Sequence, residues 1–132
     1  MNNTTSPDMS DNHIEKMIKS KGKTAPRVTP TDIEANIASE HYFTAGQAIL
    51  SPSEGIVQRW HDADGFGKEA VPLSLLTFCV LVLQNGFTVT GESACASPEN
   101  FDAEIGRKIA RANAVTKVWP LMGYALKCEL AK

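Results

Sequence analysis

A chain of 132 residues with 42% apolar and 21% charged side chains has the make-up of one small folded domain. Its net charge of −2 excludes a global attraction for nucleic acid or anionic membrane, leaving only local clusters whose fields reach about 10 Å at moderate salt. Cys79, Cys95 and Cys128 form no C-x-x-C or Cys/His ligand pattern, Met1 to Ser10 has no signal-peptide core, and the longest apolar run, Leu73 to Leu83, is too short for a bilayer. No disulfide framework, structural metal or membrane association is expected, and a reducing cytoplasm fits.

Residues 1–10 are polar and are expected to form a disordered tail ahead of a single domain over 11–132. A short helix is predicted from Asp11 to about Lys21, capped by Ser10 or Asp11, with Ile14, Met17 and Ile18 on one face and Gly22 as its stop. Three apolar residues hold such a helix weakly, so 11–28 reads as a loosely docked helix and an extended, proline-bounded connector. Thr29-Pro30 with Asp32 is a strong helix start, and a helix to about His41 follows, with Tyr42 and Phe43 extending its apolar face. Thr44 to Leu50 is a weaker helical piece, because Gly46 sits inside it. Ser53 to Trp60 reads equally as helix or strand, and His61 to Lys68 as an exposed loop.

Leu76 to Gln84 is almost wholly apolar and reads as a strand, turned at Asn85-Gly86 into a returning strand from Phe87. A two-residue type I′ turn would pair Val82 with Val89, placing Phe87 and Val89 on the core face with Phe78, Val80 and Val82. Thr88, Thr90 and Glu92 would then share a mixed face with Cys79, Leu81 and Leu83. A third strand from residues 54–60, or pairing with a second copy, would make this marginal hairpin stable. Ser97-Pro98 begins the main helix, whose predicted buried stripe is Phe101, Ile105, Ile109, Ala112 and Val115, continued by Val118 and Trp119. Glu104 and Lys108 form an i,i+4 pair, and Pro120 is expected to kink or restart the helix. The fold class is therefore α+β: a hairpin or small antiparallel sheet packed by a long C-terminal helix and a shorter N-terminal one.

Thr77-Phe-Cys-Val-Leu-Val-Leu-Gln-Asn-Gly-Phe-Thr-Val-Thr-Gly-Glu-Ser-Ala-Cys95, then Pro98-Glu-Asn-Phe-Asp-Ala-Glu-Ile-Gly106 and Lys117-Val-Trp-Pro-Leu-Met-Gly-Tyr124, resemble the gp-forty-nine-like family of small tailed-phage and prophage proteins. Ala25-Pro-Arg-Val-Thr-Pro-Thr-Asp-Ile33 fits the same pattern. The resemblance spans most of the chain apart from 1–10 and 51–72. It implies a phage-encoded protein acting in the host cytoplasm, outside the virion, and brings no assigned activity or catalytic residues. Host takeover or counter-defence follows only by analogy.

Gly91-Glu92-Ser93-Ala94-Cys95 partly matches a nucleophile elbow, but Cys95 replaces the last glycine and no histidine follows Ser93, so a plain strand end fits better. Cys95 precedes a helix start, which can activate a thiol, although an inert half-buried cysteine is the ordinary outcome. His61, Asp62 and Asp64 suggest a metal site or a catalytic cluster, yet Trp60 and Val71 occupy the first and last ligand positions of the calcium loop, and turns commonly use these residues. Lys16, Lys19, Lys21, Lys23 and Arg27 contain no intervening acid, while Arg107, Lys108 and Arg111 share one helix. Arg27, Arg107, Lys108 and Arg111 are the candidate phosphate-binding residues; a solvated charged face is the plainer alternative. No catalytic residue, cofactor or metal is expected. The expected function is non-catalytic binding of a host protein, with nucleic acid or nucleotide phosphate as the alternative. A homodimer through the hairpin edge or mixed face remains open.

Overall fold

The structure is a computed structural model that describes residues 10–49 and 66–132. The expected disorder of residues 1–9, the strand over 54–60 and the His61/Asp62/Asp64 cluster lie outside the described residues.

Helix α1 (Asp11–Ser20) starts where Ser10 Oγ accepts from the His13 N–H at 3.1 Å. It stops where Gly22 adopts φ 68°, so that the Gly22 and Lys23 amides return to the carbonyls of Lys19 and Ile18. Helix α2 (Pro30–Asn36) opens on a reciprocal cap: Thr29 Oγ1 accepts from the Asp32 N–H at 3.1 Å, and Asp32 Oδ2 accepts from the Thr29 N–H at 2.9 Å.

The helix expected to reach His41 ends at Asn36, and Ile37–Thr44 is instead strand β1. Ala35, Ala38 and Glu40 favour a helix locally, but β1 gains a full ladder against strand β2 (Leu76–Leu83), running antiparallel from Ile37–Leu83 to Thr44–Thr77. Sheet pairing overrides propensity here. A register shift between Ile37 and Ser39 marks Ala38 as a bulge, which lets Ile37 pack with the core as Tyr42 does. Helix α3 (Ala45–Ile49) follows, capped by Thr44 Oγ1, which accepts from Gln47 N–H at 3.1 Å. Helix α4 (Phe66–Ser74) overlaps residues read as exposed loop and packs against α3 closely enough to bring the Ser74 backbone within 3.4 Å of a Cβ built on Gly46.

The sheet order is β1-β2-β3, with β3 at Thr88–Ala94, so β1 is the third strand. The hairpin register differs from the expected one by a single residue. Leu81 faces Val89 and Val82 faces Thr88, because Leu83 N–H donates to Phe87 O and Gly86 N–H donates to Leu83 O, closing a three-residue loop. Gly86 has φ 89° while no non-glycine residue in the described chain has positive φ, so Asn85 cannot form the type I′ turn that needs both. The slip exchanges the faces. Cys79, Leu81, Leu83 and Val89 are buried, whereas Phe87 is 56% exposed and Phe78, Val80 and Val82 lie on the opposite side, half-buried.

Pro98–Asn100 is a single 3-10 turn, and the main helix α5 (Ala103–Leu130) begins later, where Asp102 Oδ1 accepts from Ile105 N–H at 3.0 Å. It runs through Pro120 without restarting; its 28 residues span about 42 Å. Its buried stripe is Gly106, Ala110, Ala114 and Val118, displaced from the predicted Ile105, Ile109 and Ala112. Small side chains win because α5 lies almost in contact with β3: a Cβ on Gly91 would stand 2.2 Å from both Ala110 O and Ala114 N. Ile33 of α2 completes the core. Helix covers one face of the sheet. The other carries Phe43 and Phe78, stacked at 5.1 Å across β1 and β2, with Val80, Val82, Ser39, His41, Thr88, Thr90 and Glu92.

Candidate interaction surface

Each candidate phosphate ligand can be followed to its place. Arg27 leaves the connector and meets Glu15 of α1 with both guanidinium nitrogens, Nη1 to Oε1 and Nη2 to Oε2, each at 2.7 Å. That double hydrogen bond holds the Glu15 carboxyl below the usual carboxylate range and raises Arg27. Arg111, on α5, reaches over β1: its Nη2 and Nη1 donate to Glu34 at 2.8 and 3.2 Å, and its Nε donates to Glu40 at 3.1 Å. Two carboxylates on one guanidinium leave a local charge of −1, so Arg111 sits in an anionic cluster. Lys108 pairs with Glu104 at 3.2 Å, as their spacing predicts. Arg107 is exposed and has no ion pair among the described residues. The four residues therefore form no shared anion site: Arg27 belongs to α1, and Arg111 fastens α2 and β1 to α5.

Glu34 and Glu40 escaped the sequence reading because the two acids that meet Arg111 are remote from it and sit on different elements. They are 58% and 40% exposed, so each pair contributes at most about 1 kcal/mol. Tyr42 Oη donates to Glu40 Oε1 at 2.6 Å, which together with Arg111 holds the Glu40 carboxyl below its ordinary range. Burial first, then Glu40, pushes the Tyr42 phenol well above its ordinary value, and burial pushes the Cys79 thiol up beneath it.

A phenol that holds its proton more tightly when folded contributes stability that is complete below about pH 10 and is lost as pH rises towards the folded value. Glu40, being depressed, contributes above about pH 4.3 and loses that contribution as pH falls. Urea unfolding from pH 8 to 11.5 should therefore show a declining alkaline limb that Tyr42→Phe flattens. Parallel native and variant limbs would remove Tyr42 as its cause.

Ser93 pairs with Thr77 inside the sheet, and Cys95 Sγ donates to Ser97 O at 3.2 Å; the void they share with Gly106 and Phe101 measures only about 30 Å³. No histidine lines that void, and its one carboxylate, Asp102, caps α5 by accepting from Ile105 N–H, so Gly91-Glu92-Ser93 reads as strand end. Its glycine is required by the approach of α5. Among the described residues no three His, Cys, Asp or Glu side chains are placed to hold a metal. A larger groove of about 500 Å³ is lined by Arg27, Val28, Asp32, Asn36, Gln84 and Met122, among others. Its polar members are already engaged: Arg27 with Glu15, Asp32 with Thr29, and Asn36 with the Gln84 amide.

Apolar and basic side chains also face solvent. Phe87, Ile105, Tyr124 and Leu130 are exposed, and so are Ile14 and Met17 on α1. Lys16, Lys21 and Lys23 are exposed and meet no carboxylate among the described residues. No described helix is long and apolar enough to cross a membrane.

No curated protein and no solved structure matches the chain. A family model does, over residues 28–130, which takes in α2, all three strands and α5 and leaves α1 outside. The chain belongs to the Phage protein (N4 Gp49/phage Sf6 gene 66) family.

Proposed function

We propose that this phage protein is a non-catalytic accessory factor that binds a host macromolecule in the cytoplasm of the infected bacterium, in host takeover or counter-defence. The observation that carries the reading is the amount of apolar side chain the described elements leave outside the core: the Phe43/Phe78/Val80/Val82 face of the sheet, with Phe87 and Tyr124 beyond it. Apolar surface of this kind is more often a contact than an accident. A host protein suits it better than a polyanion, because Arg27 and Arg111 already hold carboxylates.

The test is affinity purification of the tagged full chain from infected cells, with nuclease-treated controls and mass spectrometry. A stoichiometric, nuclease-resistant host protein is expected; recovery of no specific partner would end the proposal. Nucleic-acid binding is the second reading, favoured only by the carboxylate-free Lys16, Lys21, Lys23 and Arg107. It requires a gel shift that weakens steeply with salt, and absent or salt-insensitive binding would sink it. A dimer through a sheet edge is read separately, from sedimentation over a range of concentrations.

A further inference from the structure

Helix α1 is loosely integrated. None of its residues is buried, and Ile14 and Met17 stand 37% and 42% exposed. A cleft of about 270 Å³, lined by Ile14, Ile18, Val28, Pro30 and Trp119 among others, separates it from α5. One double hydrogen bond, Arg27 to Glu15, and the half-buried Ile18 hold it in place. Asp11 and Glu15 lie in its first half, and the charge beyond them is all positive. From Lys16 to Thr31 the chain contains no acid, and Glu15, the nearest, is already taken by Arg27. Lys19 reaches Glu15 only at 3.9 Å. On the helix surface Met17 lies next to Ile14 and one turn from Lys21, so the exposed apolar edge ends against a lysine that meets no carboxylate among the described residues.

We infer that α1 is a docking helix, and that its partner is a protein presenting an apolar-floored groove with an acidic rim. Such a groove would cover Met17 and the exposed side of Ile14 while its carboxylates meet Lys16, Lys21 and Lys23. Nucleic acid would satisfy the lysines but leave Ile14 and Met17 in water, and α1 carries no Phe, Tyr or Trp on which a base could stack. Two partly exposed apolar side chains are too small an area for insertion into a bilayer. This inference rests on the host-binding reading and specifies its partner.

The experiment places a photo-crosslinking benzophenone side chain at Met17 of the full chain in infected cells, and in separate variants at Phe87 and at Tyr124. The captured partner is then purified, and its affinity is measured against the native chain, the Lys16→Glu/Lys21→Glu/Lys23→Glu variant and Met17→Ser. All these positions are exposed, so the variants should keep the native circular dichroism. Support is a protein adduct strongest at Met17, whose partner binds the triple variant at least about tenfold more weakly, with a loss that shrinks as salt rises. A Met17 partner that binds the triple variant as tightly as the native chain overturns the inference. A nuclease-sensitive adduct, or a lipid one, overturns it in favour of those partners. Adducts confined to Phe87 or Tyr124 overturn it while leaving the accessory-factor reading intact, whereas no adduct at any position defeats both.

Discussion

Gly91→Ala is expected to remove at least about 3 kcal/mol of stability, at or beyond the upper end of the usual overpacking range, or to prevent folding altogether. The added methyl would meet Ala110 O and Ala114 N at 2.2 Å and Ala114 Cα at 2.9 Å. All three are backbone atoms, so no change of rotamer relieves the clash. The helix would have to withdraw, lifting Ala110, Ala114 and Val118, which are now fully buried, off the sheet. Trimming Ala110 or Ala114 to glycine should not rescue the variant, since the obstruction is not their side chains. Gly123→Ala is the matched control: nothing lies within 4 Å of that position, which is interior to α5, so a gain of up to about 1 kcal/mol is expected. Urea midpoints decide both. A Gly91→Ala midpoint close to native would mean that α5 and β3 are not packed this closely.

The second large effect concerns the assignment of faces. Leu81→Ala should cost about 2–5 kcal/mol, because Leu81 is wholly buried between the sheet and α5 and little can collapse into its space. Val80→Ala, one residue away but on the open face, should cost under about 1.5 kcal/mol. The two-residue turn would reverse this order, since it puts Val80 in the core and Leu81 on the mixed face. Equal costs, or the reverse order, would contradict the three-residue loop.

Two helix starts are legible because their caps are local, whereas the same signal at Ser97-Pro98 yields only a 3-10 turn ahead of α5. Ser10, Thr29 and Pro30 contain their own reason for a helix, and Asn85-Gly86 its own reason for a turn. The loop length is not local in that sense. Asn-Gly serves a two-residue turn and a three-residue turn alike, and β2, apolar at nearly every position, offers no alternation to choose between them. Strand β1 was hidden for a related reason: Ala38 and Glu40 fit a helix, and only pairing with β2 pays for extending them. The stripe of α5 misleads in the opposite direction. Hydrophobicity points to Ile105 and Ile109, while the near-contact at Gly91 selects Gly106, Ala110 and Ala114.

The candidate surface was half legible. Lys16, Lys21 and Lys23 could be read directly, and they meet no carboxylate among the described residues, whereas Lys19 lies 3.9 Å from Glu15. Arg27 and Arg111 could not be judged, because Glu15 lies a connector away and Glu34 and Glu40 lie on other elements. A basic residue is a candidate ligand only once its distant acids have been placed.

The position of β1 at the sheet's edge, paired to β2 across residues 45–75, also orders events in time. The β2–β3 ladder closes over a three-residue loop, whereas β1 must close a connection roughly tenfold longer, which costs about 2 kcal/mol more in chain entropy. The hairpin and α5, contiguous in the chain, are thus the natural nucleus. Strand β1 should be the last to register and the first to release, exchanging its amide hydrogens through openings that leave β2 and β3 paired.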